Sequence, residues 1–462
     1  MSVLEKVKTA GVIGAGGAGF PTHVKLNAVA EYVLLNGAEC EPLLRVDQQL
    51  MALYPDEIIA GLAAAGMGFS VQVAHFIGAN DFEKARAVMR HGYIFGLFLS
   101  FILMAVAALL ATPLPRWLGG GIDIQHDASI YFLIFSFAVP IHFVEYLSAA
   151  MLKVSGDMRH PSLIAVFMCL MDVIFNFILI FPTRKLTVFG FRFEMFGFGL
   201  GVEGAALGTL LSFVVAAIPL VYFAIFRSPV LAWKLDTKRF VWVWSYIVNA
   251  MKIGAPMALQ YLLMNGAQVV STKIVAPLGN FAIAANSFAV TAESLCYMPG
   301  YGIAEAATTL VGQSVGAKRK ELCKSFAYMT IFIGMAVMAF MGAIMYIFAP
   351  EMIGILSPVP EIRELGVAVL RIEAFAEPFF AAAIVAYSVC VGASDTFKPS
   401  LINLGSMWLV RLTLAYTLAT TYGLRGVWFA MAVELTFRGT LFLVRIYRGN
   451  WLNNVVDAPL TK

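Results

Sequence analysis

Ten apolar stretches, each long enough to cross a bilayer, are laid out in this chain as two copies of one pattern. SGDMRHPSLI at 155–164 recurs as ASDTFKPSLI at 393–402, which sets Asp157 on Asp395 and Pro161 on Pro399. The same separation pairs Gly78 and Ala79 with Gly316 and Ala317, and Pro140 with Pro378. Hydrophobic runs of about 20 residues that repeat in register must fold as two related bundles of membrane helices, an arrangement typical of secondary transporters.

The full spans fall at 93–111, 130–152, 163–181, 202–226, 253–275, 281–315, 326–348, 367–391, 401–422 and 427–446. A shorter run at 60–77 ends on the first Gly-Ala marker and reads as the tail of another span. The run at 281–315 is too long for one straight crossing, so Pro299 and Gly300 predict a kink or tilt. A polar-aromatic loop between Pro182 and Phe198 has no counterpart in the second copy. Beyond it the pairing resumes at a shorter offset, with GVEGAA at 201–206 facing GLRGVW at 423–428.

Composition excludes other classes. Apolar residues make up 60% of the chain and charged residues 13%, with a mean hydropathy of +0.82, which is the balance of a polytopic membrane protein. The net charge of +4 is small and spread over loops, so no nucleic-acid partner is implied. Cys40, Cys169, Cys296, Cys323 and Cys390 are scattered, without CxxC spacing, and imply neither a metal site nor a disulfide framework. No apolar signal segment is visible at the N-terminus. If the spans alternate, one side collects about three times as many Lys and Arg residues as the other, including those at 318–324. That side is expected to be cytoplasmic and to hold the C-terminus, in the cell's inner (cytoplasmic) membrane.

From about Gly68 to Trp451 the chain resembles the MATE (multidrug and toxic compound extrusion) family. The resemblance is carried by VGQSVGA at 311–317, its twin FIGA at 76–79, the two (G/S)DxxxPS motifs, MPGYG at 298–302 and APLG at 276–279. It implies twelve helices in two six-helix lobes. The lobes would rock about a central cavity to exchange Na⁺ or H⁺ for a substrate, often an organic cation. The residues themselves add structural expectations. Gly78-Ala79 and Gly316-Ala317 should let the chain turn tightly on leaving the membrane. Asp157 and Asp395 should cap the helices opened by Pro161 and Pro399.

Ionisable groups inside apolar runs are costly unless they face protein or water, so each is a functional candidate. Asp172 and Asn176 lie four apart, on one helix face, and could bind a proton or Na⁺ or contact substrate. DinF-like members carry Asn and Asp in the opposite order there. Glu293, Glu373 and Glu377 could form an acidic wall in the second lobe, with Glu305 as a weaker candidate and Arg371 and Arg411 near enough to pair some of them. Glu145, Lys273, Glu434 and Arg438 fit ion pairs or snorkelling better. The glutamate that NorM-like members carry in their seventh helix aligns with Met264. Asn265 is the nearest polar substitute, which leaves the coupling ion open.

The first 65 residues read differently. GAGGAGFPTHVKL at 14–26 is a glycine loop whose bare N–H groups can cradle a phosphate, and NGAECEP at 36–42 adds two carboxylates. With YPDEIIAGL at 54–62 this resembles the start of the C subunit of Rnf electron-transport complexes, akin to the flavoprotein subunit of respiratory complex I. The resemblance implies phosphate contacts at Gly14, Gly16, Gly17, Gly19 and Lys25, and nucleotide contacts at Glu39 and Glu41. The fragment is too small to bury a core alone, and the resemblance ends near Leu62. These residues are therefore expected to be vestigial, with no flavin or NADH.

The chain is thus expected to be an all-α polytopic membrane protein lacking family helix 1 and most of helix 2, preceded by a short α/β-like fragment. It divides into a glycine-loop fragment (1–65), an incomplete N-lobe (66–230) and a complete C-lobe (231–462). Residues 60–77 should form a partial or interfacial helix, and a misjoined segment is favoured over a working fusion at 62–69. The expected activity is cation-coupled efflux by a non-enzymatic monomer that needs no cofactor, impaired by the truncated N-lobe. A lipid or polysaccharide flippase and an NADH- or flavin-linked electron-transfer subunit are the alternatives.

Overall fold

The computed structural model describes residues 44–117, 122–188, 191–236 and 239–452, and they are almost entirely helical. The first bundle holds α1 (Leu44–Gly78), α2 (Phe82–Leu110), the short α3 (Pro113–Trp117), α4 (Ile122–Val154), α5 (Arg159–Ile180) and α6 (Gly201–Tyr222). The second holds α7 (Trp244–Val275), α8 (Asn280–Gly316), α9 (Lys320–Leu356), α10 (Pro360–Glu373), α11 (Glu377–Gly392), α12 (Phe397–Gly405) and α13 (Leu412–Arg448).

Among the described residues seven helical stretches are long and apolar enough to cross a membrane, or eight if the bent pair α10–α11 is one span. The stretch Phe397–Arg448 counts once, although it holds both of the last two expected spans. They part at Gly423, whose φ of 58° and ψ of −140° break the helix. Helices α7 and α8 are long, at 32 and 37 residues, but fall outside that apolar set. The long α8 is one continuous helix with Pro299 inside it. The extra loop of the first copy is a two-stranded antiparallel hairpin, β1 (Pro182–Val188) with β2 (Phe191–Phe198), irregular between Pro182 and Arg184.

The expected partial or interfacial helix at 60–77 is a correction. It belongs to the continuous α1, which runs through the expected join at 62–69 without a break. Of the apolar stretches, Gly61–Gly78 is the most enclosed, 67% buried inside the protein. Small residues make this possible by letting backbones meet. A Cβ on Gly68 would collide with the Ala250 carbonyl of α7, and one on Gly254 would lie 2.6 Å from the Ala64 carbonyl oxygen. Helix α5 is the opposite case, only 6% buried, with Leu163, Val166, Leu170 and Val173 each more than half exposed.

The repeat extends to backbone conformation. Asn80 and Lys318, at matching positions, both have φ of 58°; Gly156 and Ser394 follow with 94° and 60°, and Gly201 and Gly423 with 56° and 58°. The tight turns after α1 and α8 therefore rest on Asn80 and Lys318. Gly78 and Gly316 have another task. A Cβ on Gly78 would strike the Gln313 carbonyl, and one on Gly316 would strike the matching His75 carbonyl. The two glycines let the ends of α1 and α8 cross in contact, where the turn alone was expected to need them.

The capping aspartates have diverged. Asp157 accepts the His160 backbone N–H at 3.2 Å and holds its ring Nδ1 at 2.7 Å, as a helix-start cap should. Asp395 instead forms an ion pair with Arg445 of α13. The expected cap at Pro399 is thus replaced by a tie between helices.

Candidate coupling and substrate site

Four carboxylates meet in the core of the second bundle. Glu293 lies on α8, Glu373 closes α10, Glu377 opens α11 and Glu434 lies on α13. Helices α10 and α11 meet at a 58° bend. Pro378 supplies a local cause, because it lacks an N–H and its ring crowds the carbonyl four residues back, at Ala374. Its repeat partner Pro140 sits inside the unbroken α4. The break delivers Glu373 and Glu377 from two helix ends to the same interior, where each lies within electrostatic reach of Glu293.

The core of this bundle is apolar, with Phe288, Ala289, Ala292 and Met431 buried in one hydrophobic cluster. Glu373, Glu377 and Glu434 have no solvent exposure and Glu293 only 6%. Glu434 is 3.1 Å from Arg438 Nε, one turn along the same helix. Arg411 lies within electrostatic reach of Glu293 and Glu373. No described nitrogen or oxygen donor reaches either oxygen of Glu373 or Glu377. The Cys296 thiol, one turn from Glu293, stands against Glu377. Four carboxylates against two guanidiniums leave more negative charge than the protein balances. Buried carboxylates without partners are costly, so protons or cations must make up the difference.

The other candidates fall elsewhere. Asp172 and Asn176 are half-buried and joined by a 3.1 Å hydrogen bond from Asn176 Nδ2, facing Gly208 of α6. Asn265 is half-buried on α7, and among the described residues no hydrogen bond links it to the carboxylates. Glu305 is half-exposed and pairs across the lobes with Lys153. Arg371 does not pair with the acidic cluster as expected. It points away and stacks over Tyr346, its guanidinium 5.3 Å from the ring centre. Gly14, Gly16, Gly17, Gly19, Lys25, Glu39 and Glu41 lie outside the described residues.

Two contacts that single-motif reading missed join the lobes. His75 Nε2 lies 2.8 Å from the Gly392 carbonyl oxygen, at the end of α11. Gln313 Nε2 donates over 2.8 Å to the Val154 carbonyl, at the end of α4. The repeat register was the available signal, since it sets His75 on Gln313 and Val154 on Gly392. With Gln72 bonded to the Tyr246 carbonyl at 3.0 Å, these contacts close the lobes together on the side of the basic loops.

The model of the MatE family matches residues 57–178 and 256–417. That of the Nuo51 FMN-binding domain matches residues 7–93. A probable multidrug resistance protein NorM of Thermotoga maritima is 27% identical over 400 residues, covering 86% of this chain and 82% of that protein. Cobalamin reductase PduS of Citrobacter freundii is 56% identical over 64 residues, 14% of each chain. The fold is that of a solved outward-facing multidrug resistance MATE transporter of the MOP superfamily. The TM-score is 0.77 at 21% identity, with 88% of this chain and 89% of that one covered. These matches support both parts of the fused chain. Within the Nuo51 match, however, residues 44–93 are helices of the transporter bundle, so the described part does not build a flavin-binding domain.

Proposed function

The chain belongs to the MatE family, and on that premise we propose that it is a cation-coupled antiporter that exports organic cations by alternating access. The observation that supports this reading best is the set of partnerless oxygens on Glu373 and Glu377, buried beside Glu293 and Arg411. A proton or Na⁺ on this cluster would balance its charge. A cationic substrate entering the same lobe would compete for that charge, and competition for one set of carboxylates is a sufficient basis for exchange. Asp172 and Asn176 would serve as a second polar site in the N-lobe.

In this reading the chain is not an enzyme and acts as a monomer. It sits in the inner membrane with its basic loops and C-terminus in the cytoplasm. The clasp formed by His75, Gln313 and the glycine crossing then closes the cytoplasmic side. The transport step needs no cofactor. The match to an FMN-binding domain leaves one competing reading, in which the glycine-loop fragment holds a flavin. A flavin absorbance band retained by purified protein would favour that reading, and a colourless protein would count against it.

Dye export from proteoliposomes under an imposed Na⁺ or H⁺ gradient tests the main proposal. Export should follow one of the two gradients and fall at least about tenfold in Glu377→Gln. Gradient-independent dye movement, or unaltered export by Glu377→Gln, would refute it.

A further inference from the structure

On the outer surface of the second bundle, α9, α10 and α13 enclose an open groove of about 690 Å³. Tyr346, Phe375, Phe429, Val433 and Phe437 line it, and Arg371 stands at one end. A smaller cleft of about 340 Å³ continues past Arg371 to Arg363, Glu364 and Arg425. The aromatic walls are exposed: Phe375 by 73%, Phe429 by 54% and Phe437 by 45%.

Depth along the helices orders these groups. Helix α11 runs 16 residues from Glu377 to its end on the basic-loop side, which is about 24 Å at 1.5 Å per residue. Arg371 therefore sits roughly one hydrocarbon thickness, about 30 Å, from that side, at the opposite headgroup boundary. Phe437 is eleven residues before the end of α13, about 17 Å, and so near mid-membrane. The groove thus has a basic mouth at headgroup level and an aromatic trough running inward from it.

The mouth has positive charge to spare. Arg425 pairs with Glu364 at 3.4 Å, whereas Arg363 and Arg371 have no ion-pair partner among the described residues. Arg371 is held by its own Nε bond to the Tyr346 carbonyl at 3.3 Å and by stacking on that ring, which leaves its outer nitrogens presented. A planar guanidinium fixed in this way suits a phosphate, and the trough below suits one acyl chain.

We propose that this groove binds an anionic phospholipid of the leaflet opposite the basic loops, with its phosphate on Arg371 and Arg363 and one acyl chain along Phe375, Phe429 and Phe437. Arg371 is two residues from Glu373, on the lipid side of the bend that delivers Glu373 and Glu377 to the interior. A bound lipid would brace that bend from outside.

Native mass spectrometry of the full chain, exchanged into phosphatidylglycerol and phosphatidylcholine of identical acyl chains, tests this without relying on transport. The wild type should retain phosphatidylglycerol at least about fivefold better. Arg363→Gln/Arg371→Gln should bring the two lipids to parity, and Arg371→Lys should keep part of the preference. Lys398→Gln, on the basic-loop side, should leave it unchanged. Excess inorganic phosphate should not displace the lipid; if it erases the preference, the mouth is a free-anion site and the proposal fails. Equal retention of both lipids by the wild type, or an unchanged preference in the double variant, would also overturn it.

Discussion

His75 and Gln313 hold the same place in two copies of one repeat, and each reaches the carbonyl that ends a helix of the opposite lobe. His75 meets Gly392 and Gln313 meets Val154, both at 2.8 Å, and Val154 and Gly392 are themselves repeat partners. The two lobes are therefore joined by a reciprocal clasp. Gly78 and Gly316 beside it make the close approach possible.

Loosening the clasp should favour the state in which it is open. Each bond contributes about 0.5–1.5 kcal/mol, so His75→Ala or Gln313→Ala should raise the open population a few-fold. Ala74, fully buried against Gly312 of the opposite lobe, reports it as Ala74→Cys in a chain whose own cysteines are replaced by serine. Alkylation of that cysteine, assigned by peptide mass, should speed up when either clasp variant is added. Unchanged rates would show that the clasp does not hold this side shut.

Adding a methyl at the crossing should be costly, because the obstacle is backbone. Gly78→Ala and Gly316→Ala are expected to lose about 1–3 kcal/mol, read as a lowered melting temperature in detergent. Gly302 meets nothing within 4 Å of its would-be Cβ. Gly302→Ala should therefore be neutral or gain about 0.5–1 kcal/mol from helix propensity.

The carboxylates should separate stability from transport. Glu373→Gln and Glu377→Gln remove buried groups that no described nitrogen or oxygen donor reaches, so melting temperature should hold or rise while gradient-driven export is lost. Glu434→Gln strands Arg438 and should cost about 3–5 kcal/mol. A melting temperature for Glu377→Gln as low as that of Glu434→Gln would contradict this division.

The motif aspartates should differ despite their shared register. Asp157→Asn keeps a capping oxygen and should cost under about 1 kcal/mol. Asp395→Asn leaves Arg445 without its partner and should cost several times more, again by melting temperature.

Much of this was legible in the residues. Apolar runs that repeat in register determine two bundles of membrane helices, since only helices satisfy the backbone in lipid at that length. The same register, followed residue by residue, matches Asn80 to Lys318 and His75 to Gln313. The four-residue spacing of Asp172 and Asn176 placed them on one face, and they are hydrogen-bonded there. Other outcomes depended on which surfaces met. Residues 60–77 read as a marginal span, yet small residues facing Ala250 and Gly254 draw them into the centre of the molecule. Arg371 and Arg411 read alike as partners for the glutamates, and only packing turned one inward and the other toward Tyr346. Pro140 and Pro378 occupy one repeat position, yet one lies in a continuous helix and the other beside the bend that brings Glu373 and Glu377 together. Local pattern determined the helices and their order, because hydrophobic length and backbone hydrogen bonding act within a segment. The tertiary structure decided which charges share an interior, because that depends on contacts between segments far apart in the chain.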